Sequence, residues 1–156
     1  MIALMSSMPF AVAGGPSRLG FLMEVASVAA ASALERGMAM VLVPPLETGQ
    51  RSLDFLDIDG ALLIEPSADD KLLKELVARG LPVVSIGKPG GDAFGQVPYV
   101  DLLSGQTVQM LLEHMQAQGA RQIAMVLGAA ERNSYAQAEL AYQAMVEANG
   151  MEHISL

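Results

Sequence analysis

Three adjacent side chains, Arg132, Asn133 and Ser134, stand in GAAERNSYAQAELAY (128–142), at the turn between an apolar run and a helical pattern. A guanidinium offers a rigid fork of donors to a carboxylate or to paired hydroxyls, and the first free N–H groups of a helix add a positive field at the same place. The chemistry suited to such a turn is recognition of a small polar molecule. The plainer alternative is that Ser134 caps the helix and Arg132 is solvated.

A second candidate is the stretch MPFAVAGGPSRLGF (8–21), a glycine-rich loop between a strand-like run and an alanine-rich helix. It lacks the G-x-x-x-x-G-K-[ST] ending of a phosphate-binding loop, and AVAGGPSRLG does not fit G-x-G-x-x-G. Gly14, Gly15 and Pro16 then serve a turn. Phe10, just past a strand end and outside any periodicity, offers a flat apolar wall to a ring or fills a local core.

The remaining reactive types form no constellation. Asp54, Asp57 and Asp59 precede an apolar strand without a matching His or distant carboxylate, which reads as a solvated turn. His114 and His153 show no metal spacing. The eleven methionines read as core filling, and the chain has no cysteine, hence no disulfide framework and no thiolate chemistry. No metal and no cofactor is expected.

The elements that must position these residues follow from apolar runs alternating with helical patterns. Strands are expected in 2–7, 38–45, 60–66, 82–87 and 122–128, the mark of a parallel, helix-covered sheet. Ser67 with Asp70 reads as a capping box opening a helix whose apolar face is Leu72, Leu73, Leu76 and Val77, with Gly80 as its left-handed end. A second helix should start near Ser104, bury Val108, Leu111, Leu112 and Met115, and stop at Gly119. A third should start near Ser134, with Gln137 completing a capping box, and stop at Gly150. The helix from about 18 to 36 is apolar over more than one sheet face needs, which suits a second subunit. Residues 87–104, rich in Gly and Pro, read as a crossover with a brief extended run at 97–101. Residues 1–100 therefore read as one α/β lobe, and residues 101–156 as the crossover and half of a second.

Composition narrows the class. With 52% hydrophobic and 17% charged residues the chain is globular, and 156 residues suffice for a real core. A formal charge of -8 disfavours direct nucleic-acid binding, which rests on Lys and Arg. No apolar run reaches the roughly 20 residues of a membrane span, and no signal-peptide layout opens the sequence. Cysteine usage fits the cytosol. A core strand beginning at residue 2 suggests a chain cut from something longer.

The order IALMSS…MPF, ERGMAMVLVPP, DGALLIEP, KLLKELVARGLPVVSIGKP, YVDLLSGQTVQMLLEHMQAQGARQIAMVLG and ERNSYAQAELAYQAMVEANG resembles, from end to end, the effector-binding core of LacI-family transcription regulators. The resemblance implies a type I periplasmic-binding-protein fold: parallel, Rossmann-like α/β lobes that close on a small-molecule effector. It implies a homodimer whose DNA contact comes through an N-terminal helix-turn-helix headpiece, here missing together with most of the second lobe. It implies neither enzymatic activity nor membrane association.

The implied effector contacts are the loop after the first strand, Ser6 to Phe10 with Ser6, Met8 and Phe10 as lining residues, and the loop holding Arg132, Asn133, Ser134 and Tyr135. Asp101 falls at the crossover, where the family commonly carries an acidic residue. The loop AVAGGPSRLG is longer than the usual family connection. Ala138 stands where several members carry a second effector-binding Arg, a role Tyr135 would take over in part. The rival readings are a small nucleotide-binding enzyme of Rossmann type using the glycine loop, and the solute-binding component of a transporter.

Overall fold

Each strand run ends where a turn or helix signal begins, and the computed structural model builds its sheet from those runs. It describes residues 1–8, 16–44, 53, 56–129, 131–150 and 154. In chain order these form β1 (Ile2–Ser6), α1 (Pro16–Glu35), β2 (Met40–Leu42), β3 (Gly60–Ile64), α2 (Lys71–Ala78), β4 (Val83–Ile86), a 3-10 turn (Asp92–Phe94), β5 (Tyr99–Val100), α3 (Ser104–Ala117) and α4 (Asn133–Asn149).

The strands form one parallel sheet in the order β2-β1-β3-β4-β5. The order reverses between β1 and β3, so their following loops leave a crevice at the carboxyl edge of the sheet, the place where such sheets hold ligands. Register brings the two strand ends level: Ser6 pairs with Ile64, and the Ser7 N–H donates to the Ile64 carbonyl at 3.1 Å.

Alternation along the strands feeds two cores. Ala3, Met5, Ala61, Leu63 and Val83 face Leu73 and Leu76 of α2 together with Leu53, Ile58 and Phe94. Leu4 and Ile64 point to the other side, under Ala26, Leu22 and Val25 of α1. Leu73 and Leu76 are fully buried, each contributing about 1.5–3 kcal/mol through the area removed from water. Helices α3 and α4 enclose a separate cluster, Leu112, Ile123, Tyr142 and Val146. Apolar side chains on both flanks of α1 stay exposed, Phe21 and Val28 on one and Met23 and Leu34 on the other, so the apolar surface of the helix is wider than the part packed on the sheet.

Several expectations need correction. The box at Ser67 is reversed: Asp70 is the cap, its Oδ1 accepting from the Leu73 N–H at 2.8 Å and its Oδ2 from the Ser67 N–H at 3.0 Å. A carboxylate serves both ends of the first turn here, so the helix starts three residues later than a Ser67 cap requires. The box at Ser134 does not form, because α4 begins one residue earlier and the Ser134 hydroxyl is taken elsewhere. Of the residues α3 was to bury, only Leu112 is buried; Leu111 and Met115 are exposed and Val108 is half-buried. The run 122–128 is not a strand. A strand needs neighbours to pair with, and among the described residues only Ile154 supplies one, accepting from the Met125 N–H at 3.0 Å. The stops at Gly80, Gly119 and Gly150 all adopt positive φ, as left-handed helix ends do.

Candidate functional site

Two adjoining cavities, of about 230 and 210 Å3, open at the carboxyl ends of β1 and β3 and share Glu65, Leu102 and Ser134 as walls. The first is mainly apolar: Met8, Phe21, Leu22, Ile64 and Tyr135 line it, with Ser6 at one side. The second is polar, walled by Lys88, Asp101, Gln106, Asn133 and Gln137. A molecule spanning both meets an apolar wall on one side and hydrogen-bonding groups on the other, the usual division of labour in a small-molecule site.

Local chemistry explains how each wall is held. Ser6 is buried, and its Oγ accepts from the Met8 N–H at 3.2 Å, which folds the chain back at the end of β1 and tucks Met8 inside. Asp101 is exposed; its Oδ1 accepts from the Leu103 N–H at 2.9 Å, an Asx-type turn that leads into α3. Leu103 then takes a left-handed conformation with φ 51°, at a cost of roughly 1–2 kcal/mol for a residue with a Cβ. Neither Leu103 nor Arg132, the residues at the cap positions, caps its helix with a side-chain hydrogen bond, so the first N–H groups of α3 and α4 have no such cap. The two helix starts pack closely, since a Cβ added at Gly105 would be in ordinary contact, 3.4 Å, with the Gln137 carbonyl on α4.

Arg132 is buried, which rules out the solvated alternative. Its guanidinium donates to the Glu65 carbonyl and, at 3.1 Å, to the Ser7 carbonyl, and so ties the start of α4 to the ends of β3 and β1. An antiparallel bridge between Ser67 and Arg132, with the Ala68 N–H donating to the Glu131 carbonyl at 2.8 Å, continues the same seam. The fork that the sequence offered to a ligand thus holds two main-chain carbonyls, and Arg132 lines neither cavity.

Of the eight residues singled out from the sequence, Ser6, Met8, Asp101, Asn133, Ser134 and Tyr135 come together around the paired cavities. Phe10 lies outside the described residues, as do Gly14 and Gly15, Asp54 and His153. Asp57 and Asp59 are exposed. Among the described residues no group of three His, Cys, Asp or Glu could hold a metal ion, and no helix is long and apolar enough to cross a membrane.

Glu65 was not singled out from the sequence, yet it walls both cavities. It follows β3 directly, has φ 51°, and is only 8% exposed. Its Oε2 accepts from the Ser134 hydroxyl at 2.6 Å. Its Oε1 lies over Gly87, where an added Cβ would come within 2.5 Å; Gly87 also needs its φ of 94° to make the turn after β4. The available signal was an acidic residue closing the apolar run GALLI.

No family model and no curated protein sequence matches the chain. Solved structures do. A transcription regulator like protein from Staphylococcus haemolyticus is 15% identical with a TM-score of 0.79, over 99% of this chain and 59% of that one. A transcriptional regulator CelR–cellobiose complex is 26% identical with a TM-score of 0.76, over 97% of this chain and 47% of that one. A LacI family transcriptional regulator from Mycobacterium smegmatis is 19% identical with a TM-score of 0.74, over 100% of this chain and 54% of that one. The chain, spanning about half the length of the proteins it matches, has throughout the α/β fold of LacI-type transcriptional regulators.

Proposed function

We propose that the chain is the ligand-sensing region of a LacI-family transcription regulator. Residues 1–100 form one lobe, residues 101–156 form the crossover and part of a second, and a small metabolite, sugar-like or nucleobase-like, binds between them. The observation that carries this reading is the pair of joined cavities at the switch point between β1 and β3, closed from the far side by the start of α4. Ser6, Met8 and Tyr135 would hold the apolar face of the ligand, and Asp101, Asn133 and Ser134 its polar edge, while Arg132 holds the seam behind them. The likeness to a regulator solved with cellobiose supports a small-molecule ligand.

Regulation follows if ligand binds one arrangement of the lobes more tightly than another, which shifts the population that presents a separate DNA-binding headpiece. Exposed apolar side chains on α1, Met23 and Leu34 among them, supply contacts for a second copy, making a cytoplasmic homodimer the working form.

Calorimetric titration of the full-length protein with cellobiose, glucose and adenosine tests the proposal. Saturable binding by one of them, weakened at least about tenfold by Asn133→Ala and by Tyr135→Ala and coupled to a change in DNA affinity, is the expected result. Tight binding of ATP or NAD that neither substitution affects would replace the sensor with a nucleotide enzyme.

A further inference from the structure

Resting on the sensor reading, we propose that Glu65 is the specificity-determining residue of the cleft. It selects a ligand that presents N–H or O–H donors and carries no negative charge, either a hydroxyl-rich neutral molecule or one with a cationic nitrogen.

Glu65 as a residue is more than nine-tenths out of solvent, and among the described residues no cationic side chain forms an ion pair with it. Oε2 is occupied by the Ser134 hydroxyl. Oε1 accepts no hydrogen bond from the described residues, yet it is not sealed off: Ser7 Oγ is the one side-chain polar atom among them that is both fully buried and unpaired. An accessible acceptor on a buried carboxylate, walling two cavities at once, is completed by a donor that arrives with the ligand.

Charge in the cleft points the same way. The free N–H groups at the starts of α3 and α4 would by themselves favour an anion. The Glu65 carboxylate already lies beside the start of α4, bonded to the hydroxyl of its second residue, where it offsets that field. Asp101 adds another carboxylate to the polar cavity, against Lys88 as its single cationic side chain. The Lys88 ammonium lies 5.9 Å from the centre of the Tyr99 ring. Arg132, the other cation nearby, is committed to the carbonyls of Glu65 and Ser7. A phosphate or carboxylate entering beside Glu65 meets a like charge in a poorly solvated place and is rejected.

The test is equilibrium dialysis of the full-length protein against charge-matched probes: glucose, glucosamine and glucose 6-phosphate; cellobiose and cellobionate; adenosine and adenosine 5′-monophosphate. Binding confined to the neutral and cationic members of a set, and weakened at least about tenfold by Glu65→Gln, is expected. The balance between glucose and glucosamine tells hydroxyl recognition from cation recognition. An anionic probe binding as tightly as its neutral counterpart overturns the inference and leaves the sensor reading standing, as does a folded Glu65→Gln protein that binds its probe like the wild type. Retention of no probe overturns both. The charge preference is read on the wild-type protein, so it decides the matter even if Glu65→Gln does not fold.

Discussion

Replacing Arg132 tests how the start of α4 is joined to the sheet. Two guanidinium donors reach two main-chain carbonyls, that of Glu65 in a buried place and that of Ser7 in a partly buried one. Hydrogen bonds involving a charged group contribute about 1.5–3 kcal/mol each, and the Ser7 bond belongs at the low end because water can replace it. Against their sum stands the cost of keeping a cation buried without a carboxylate, which Arg132→Ala relieves. The balance is a loss of about 2–3 kcal/mol. With a urea slope of about 2 kcal/mol/M, the unfolding midpoint followed by far-UV circular dichroism should fall by about 1 M or a little more. Arg132→Lys, which keeps the charge and reaches one carbonyl, should lose about half as much. A midpoint for Arg132→Ala within about 0.2 M of the wild type would refute the reasoning, and so would a lysine variant as unstable as the alanine one.

Two further outcomes follow from single side chains. Tyr142 is fully buried, its hydroxyl donating to the Ile123 carbonyl at 2.6 Å and accepting from the Ile154 N–H at 3.0 Å. Tyr142→Phe strands both main-chain groups, so calorimetry should show a loss of about 1–2 kcal/mol and a melting temperature lower by about 3–6 °C; an unchanged melting temperature would sink that account. On α2, the hydrogen bond from Lys74, reinforced by its charge, holds the exposed Asp69 carboxyl below its ordinary value of 3.8. A carboxyl depressed in the folded state stabilises above its unfolded pKa, and that small gain is lost as pH falls through the folded value. NMR titration should therefore place the Asp69 midpoint below 3.8 and return it towards that value in Lys74→Met.

What the sequence made legible was what depends on neighbours in the chain. Ile2–Ser6, Gly60–Ile64 and Val83–Ile86 announce themselves as apolar runs between turn signals, and Gly80, Gly119 and Gly150 mark helix ends because only a residue without a Cβ enters the left-handed region freely. The cleft was legible in part, since strand ends and helix starts are where a parallel sheet keeps its ligands. Glu65 escaped, and so did the main-chain partners of Arg132, for one reason: both depend on residues far along the chain. The Ser134 hydroxyl meets the Glu65 carboxylate across 69 positions, and Arg132 reaches the Ser7 carbonyl across 125. A local pattern sees an acid closing a strand and a base opening a helix, and shows the partner of neither. The Asp70 cap shows the limit even at short range, because Ser67 and Asp70 both fit a cap and only the backbone path decides between them.

The strand order also governs how the chain can assemble in time. β1 lies between β2 and β3, so the strand made earliest has its register on one side fixed only when Ile2 meets Gly60, 58 positions later. Pairing Ala61 with Val83 closes a loop of 22 positions, and Ser85 with Tyr99 one of 14. Loop-closure entropy grows as the logarithm of length, so the β1–β3 contact is costlier than the β3–β4 contact by about 0.9 kcal/mol before any side chain packs. Folding should then nucleate on β3, α2 and β4, with β1 inserted afterwards beside a ready-made edge; pulse-labelled hydrogen exchange that protects the amides of β1 before those of β4 would contradict this order. Until β1 arrives, the flank of β3 it will cover is an open template, and the nascent chain carries its greatest risk of mispairing there.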